Sequence, residues 1–98
     1  MAINNTLKAK TEEALIYQEV SGIATYSNGE LSVLYDEVIG HHGDSDGYLV
    51  ILKKENHLIK LFIADDIAII KTISEEDYKE LLNAIKALQP GLPKSMQS

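Results

Sequence analysis

From residue 22 onward the apolar positions fall into short runs, each broken by glycine, asparagine, aspartate or lysine. Residues 22–27 (GIATYS) and 30–35 (ELSVLY) flank Asn28-Gly29. Asn-Gly between two such runs predicts a tight hairpin, because both central turn residues need positive φ. In the second arm Leu31, Val33 and Tyr35 share one face, with Ser32 and Leu34 on the other. Residues 36–47 (DEVIGHHGDSDG) offer only Val38 and Ile39 as apolar anchors before three glycines and two aspartates. That pattern predicts a loop.

Three denser runs follow: 48–52 (YLVIL), 58–63 (LIKLFI) and 67–70 (IAII), joined by residues 53–57 and 64–66. Short, bounded runs rich in β-branched and aromatic residues predict strands buried on at least one face. Joins this short predict antiparallel neighbours. The last element is helical. Ser74 is placed as an N-cap, and Glu75, Glu76 and Asp77 put negative charge at the helix start. Tyr78, Leu81, Leu82, Ile85 and Leu88 then mark one buried face of a helix over 75–88, which Pro90 and Gly91 end.

The N-terminal third reads two ways. Residues 11–20 (TEEALIYQEV) contain good helix formers with Gly22 as a C-cap, yet alternation also fits a strand over 15–20, which is the reading preferred here. A single domain is expected over 1–90, with residues 1–10 flexible and 91–98 a disordered tail.

Composition narrows the function more than it defines it. The chain has 98 residues and a net charge of −6; its nine basic residues are all lysine, and it has no cysteine. Disulfide frameworks, thiolate zinc sites and iron–sulfur clusters are excluded. An acidic chain without arginine is a poor fit to nucleic acid or to an anionic membrane, both of which call for a basic face. No apolar run approaches the roughly 20 residues of a spanning helix. The polar start, residues 1–10, lacks a signal peptide's apolar stretch, so the cytoplasm is the expected compartment.

Candidate chemistry is sparse. His41, His42, Asp44 and Asp46 are plausible metal ligands, and Asp44-x-Asp46-Gly47 invites comparison with a calcium loop. The register fails: the first and twelfth ligand positions would be His42 and Lys53, where carboxylates are required. An ordinary turn-rich connection explains the segment more simply. Asp65-Asp66 and Asp36-Glu37 read as solvated turns. No serine sits in a G-x-S-x-G elbow, and Gly40, Gly43 and Gly47 match no phosphate loop. No catalytic or cofactor-binding residue is therefore singled out, no cofactor is expected, and a non-enzymatic role is. Tyr17, Tyr26, Tyr35 and Tyr48 lie in or beside the predicted strands and are candidate interaction residues, tyrosine being enriched at interface hot spots.

The order of elements, together with the stretch Leu34-Tyr35-Asp36-Glu37-Val38-Ile39, resembles the small bacterial pleckstrin-homology-like (PH-like) domains over about residues 15–88. The resemblance implies an α+β fold, mostly antiparallel β, in which five to seven short strands form a PH-like barrel closed by a C-terminal amphipathic helix. It also implies a scaffold for protein contacts or self-assembly with a partner protein or another copy. The stretch Val20-Ser21-Gly22 has none of the basic residues by which lipid-binding members hold phosphoinositides. The competing architecture is a roadblock- or profilin-like α/β layer with 11–20 as its first helix. Two other functions are weighed: an acidic inhibitor or immunity-type protein that blocks a basic target, and weak metal or ligand binding by residues 41–46.

Overall fold

The structure, a computed structural model, describes residues 5–85, 88–93 and 96, excluding the side chain of Asp44. Eight strands and one α-helix form two sheets. In chain order these are β1 (Asn5–Lys10), β2 (Glu13–Ile16), a 3-10 turn (Gln18–Val20), β3 (Ala24–Ser27), β4 (Glu30–Tyr35), β5 (Glu37–Asp44), β6 (Gly47–Lys54), β7 (His57–Ile63), β8 (Ile67–Ile73) and α1 (Glu75–Ala84). The small sheet has the order β1-β4-β3 and the large one β2-β8-β7-β6-β5. All neighbours are antiparallel except β2, which runs parallel to β8.

The α+β class and the antiparallel character are as the sequence pattern predicts. The count of five to seven strands is too low, and the two sheets do not join into a closed barrel. Asn28 and Gly29 take φ of 53° and 76°, the left-handed pair that their hairpin requires. Residues 36–47 are not a loop: Glu37–Asp44 is the outermost strand of the large sheet. Its glycines are contact positions. A Cβ on Gly43 would lie 2.6 Å from the Tyr48 ring, and one on Gly40 would lie 2.8 Å from the Gln89 carbonyl oxygen. Residues 15–20 are not one strand, since β2 begins at Glu13 and the 3-10 turn starts at Gln18. That also removes the first helix of a roadblock- or profilin-like layer.

The core lies between the sheets. Leu7, Leu31 and Val33 from the small sheet face Val50, Leu52, Ile59, Leu61 and Ile70 from the large one, all fully buried. Val20 of the 3-10 turn joins them, which explains why the β2 strand breaks there. The alternation of buried and exposed positions along β7 and β1 puts one face of each in this core.

Helix α1 starts where expected, with Ser74 Oγ accepting the Asp77 N–H at 3.1 Å. It ends earlier, at Ala84, and Ile85 is already extended at φ −106° and ψ 123°. The expected end at Leu88 is therefore wrong. The cause is tertiary: Gln89 exchanges backbone hydrogen bonds with His41 on the edge of β5, and a continuing helix could not do so. The helix lies over the outer face of the large sheet, where its Asp77, Glu80 and Leu81 line a groove with Lys60, Lys71 and Ile73. Among the described residues no helix is long and apolar enough to cross a membrane.

Of the tail 91–98, expected to be disordered, Leu92 packs against the core and Met96 is 5% exposed within it. Residues 94, 95, 97 and 98 lie outside the described residues, as do residues 1–4 of the segment 1–10 that was expected to be flexible. Residues 5–10 of that segment are β1.

Candidate functional site: an open seam beside a free strand edge

The two sheets meet along two seams, and these differ. At the β2–β3 seam Tyr26 bridges the gap, its hydroxyl within 2.8 Å of the Thr11 carbonyl oxygen and 2.7 Å of that of Glu12. Thr72 Oγ1 donates to Glu19 Oε1 at 3.3 Å nearby. On the opposite side, between β1 and the β5–β6 hairpin, a cleft of about 880 Å³ remains. Thr6, Lys8 and Lys10 line one wall, Tyr48 and Asp65 the other, and Met96 lies between them.

Among the described residues no strand pairs with the outer edge of β1, and the register shows which groups that edge presents. In an antiparallel pair, hydrogen-bonded and non-hydrogen-bonded positions alternate. The two-residue turn makes Ser27–Glu30 a bonded pair, so Glu30, Ser32 and Leu34 bond towards β3. Consistently, the Leu34 N–H donates to the Ile23 carbonyl. Leu31, Val33 and Tyr35 therefore bond towards β1, to Ala9, Leu7 and Asn5. The N–H and C=O groups of Thr6, Lys8 and Lys10 point the other way, into the side where no described strand lies. These are the same three residues that line the cleft.

The four tyrosines separate into two kinds. Tyr26 and Tyr35 are half-buried and pack against the core. Tyr48 is 40% exposed and forms part of the cleft wall. Tyr17, also 40% exposed, stands apart from that cleft with the Lys71 ammonium 5.6 Å from its ring centroid, a cation–π distance. Beside it, Leu15, Ile69, Phe62, Leu49 and His42 are successive partners across all five strands of the large sheet. This row crosses the outer face, outside the core cluster, with Leu15 48% exposed.

Among the described side chains, the metal candidates His41, His42 and Asp46 do not come together as one group. His41 and His42 are neighbours on a strand, opposite Val50 and Leu49 respectively, so their side chains leave opposite faces of the sheet. The His41 Nδ1 is 2.8 Å from the Gly91 carbonyl oxygen. Asp46 lies in the β5–β6 turn, and the side chain of Asp44 is outside what is described. Among the described residues no group of three or more histidine, aspartate or glutamate side chains is placed to hold a metal ion.

Electrostatics single out one carboxylate, at the opposite end of β6 from the cleft. Asp36 Oδ2 accepts the Glu55 N–H at 2.6 Å, and Oδ1 takes the Lys54 ammonium at 3.3 Å. The Glu55 amide first, and then Lys54, hold this carboxyl below its ordinary range. The pairing closes the β6–β7 turn, where Glu55 adopts a φ of 56°.

The free edge and its cleft were missed from the sequence. Alternation of Leu7 and Ala9 with Thr6, Lys8 and Lys10 was the available signal, spread over too few residues to stand out. Compared with known proteins, the chain matches no family model, no curated protein and no solved structure.

Proposed function

We propose that this protein is a non-enzymatic protein-interaction module of PH-like type that takes an extended segment of a partner at the free edge of β1. The observation that carries this is the coincidence of the edge that no described strand covers with the cleft: Thr6, Lys8 and Lys10 present backbone donors and acceptors on the side of β1 where they also line a recess of about 880 Å³. Strand addition draws affinity from main-chain hydrogen bonds and specificity from pockets for alternate side chains. From Thr6 to Lys10 the edge runs about 13 Å, enough for about four or five partner residues.

Two features support the PH-like type. β4 runs into β5 through Tyr35, Asp36 and Glu37, and one C-terminal helix follows β8 and shares a groove with residues of β7 and β8. A second copy is a poorer occupant of this edge than a different chain, because antiparallel pairing of β1 with itself brings lysine against lysine. Edge lysines are a common device against such pairing.

Affinity capture from the native host with the parent and a Lys8→Pro bait tests the proposal. Proline at Lys8 removes one outward donor and leaves the β1–β4 ladder intact. A partner retained by the parent and lost by Lys8→Pro is the expected result. The same partners on both baits contradict strand addition at β1, and no specific partner contradicts an interaction role. The acidic-inhibitor alternative predicts binding that weakens steeply with salt. The mixed rim here, Lys8 and Lys10 facing Glu30 and Asp65, predicts weak salt dependence.

A further inference from the structure

The apolar row on the outer face of the large sheet is a surface distinct from the β1 edge. We infer that two copies of this chain meet through that face, row upon row, about a two-fold axis lying along Leu15, Ile69, Phe62 and Leu49. The inference does not depend on strand addition at β1.

Leu15 is 48% exposed, and Ile69, Phe62 and Leu49 are half-buried without belonging to the core cluster. Across the five strands the row runs about 19 Å. A face of that size is at the low end of specific interfaces, which makes the dimer weak and concentration-dependent. The charged positions decide which occupant fits. On the same face, two residues to either side of Leu15 and Ile69, Glu13 lies beyond one flank of the row, and Tyr17 with Lys71 beyond the other. Rotation about the row exchanges its flanks, so the Glu13 carboxylate of each copy comes over the Tyr17–Lys71 pair of the other. The net charge of −6 on each copy opposes self-association, and this arrangement sets opposite charges together twice per dimer. The strand ends leave room for it. β2, β8 and β6 begin at Glu13, Ile67 and Gly47, two residues before Leu15, Ile69 and Leu49. A copy turned about the row therefore overhangs by only about 7 Å. It reaches across Lys60 and Lys71 and stops at α1, which walls their groove with Asp77, Glu80 and Leu81. Aligned sheets pack face to face in this way, about 10 Å apart.

Sedimentation equilibrium from about 10 μM to about 1 mM tests this, with a monomer–dimer equilibrium expected for the parent chain. Glu13→Lys and Lys71→Glu each set like charges against one another and should weaken dimerisation at least about fivefold. The double variant restores opposite charges and should return to within about twofold of the parent. Within one copy Glu13 and Lys71 are four residues apart along the paired strands, about 13 Å, too far for such a rescue to arise there. Leu15→Lys, at an exposed position, should abolish the dimer and leave the circular dichroism spectrum unchanged. A parent chain that stays monomeric throughout overturns the inference. So does a dimer that keeps its full strength in the single charge variants, or whose loss the double variant does not repair. Lys8→Pro should dimerise as the parent does; loss of the dimer in that variant would place the contact at β1 and overturn the inference as well.

Discussion

Gln89 and His41 exchange two backbone hydrogen bonds, of 2.7 and 2.8 Å, and add one rung to the outer edge of β5. This relationship fixes three local features. It requires an extended chain at Gln89, which stops α1 at Ala84; it shortens the exposed edge of β5; and it leaves no room for a side chain on Gly40. It also aims the chain towards the cleft, where Met96 is buried.

Burial of Met96 predicts a measurable stability effect from a residue two positions from the C-terminus. Met96→Ala should cost about 2 kcal/mol or more, as large-to-small changes in cores do. Urea unfolding measures it. An unchanged midpoint would mean that the tail does not occupy the core.

The β1 register predicts opposite outcomes for adjacent prolines. Lys8→Pro removes an outward-facing donor and should cost less than about 1 kcal/mol, as a residue change away from packed or paired groups does. Ala9→Pro removes a ladder bond to Leu31 and should cost about 3 kcal/mol or more. Equal losses in thermal or urea unfolding would refute the register.

The tyrosines illustrate how much of the structure could be read from the chain. The Asn28-Gly29 hairpin and the Ser74 cap were legible because each depends on residues within three positions of one another. Strand β5 was not, because its identity comes from pairing with β6, and Gly40 and Gly43 look like loop residues until Gln89 and Tyr48 are seen against them. The four candidate tyrosines were chosen by type, and type does not tell a structural hydroxyl from an exposed ring. Tyr26 and Tyr48 differ only in what the fold places opposite them.

Tyr26 accordingly should matter for stability. Tyr26→Phe loses the bond that spans the β2–β3 seam and should cost about 1 kcal/mol. Tyr48→Phe, with its ring on the cleft wall, should leave the unfolding midpoint within about 0.5 kcal/mol of the parent. The reverse order in urea unfolding would contradict the assignment of the two rings.

Asp36 gives a pH dependence with a definite sign. Its folded pKa lies below the ordinary value, so its contribution is fully present at neutral pH and is lost as pH falls through the folded pKa. Asp36→Asn should therefore flatten the acid limb of the stability curve while leaving its neutral and alkaline shape unchanged. Melting temperatures measured across that range test this; parallel curves for the two proteins would remove Asp36 from the account.

The central claim is that β1 has an open edge beside the cleft, and residue-by-residue hydrogen exchange along that strand tests it most directly. The Leu7 and Ala9 amides, bonded to β4, should exchange at least about 100-fold more slowly than those of Thr6, Lys8 and Lys10, at low and high protein concentration alike. Uniform protection of all five amides would contradict the claim, because it would mean that another strand already covers the edge.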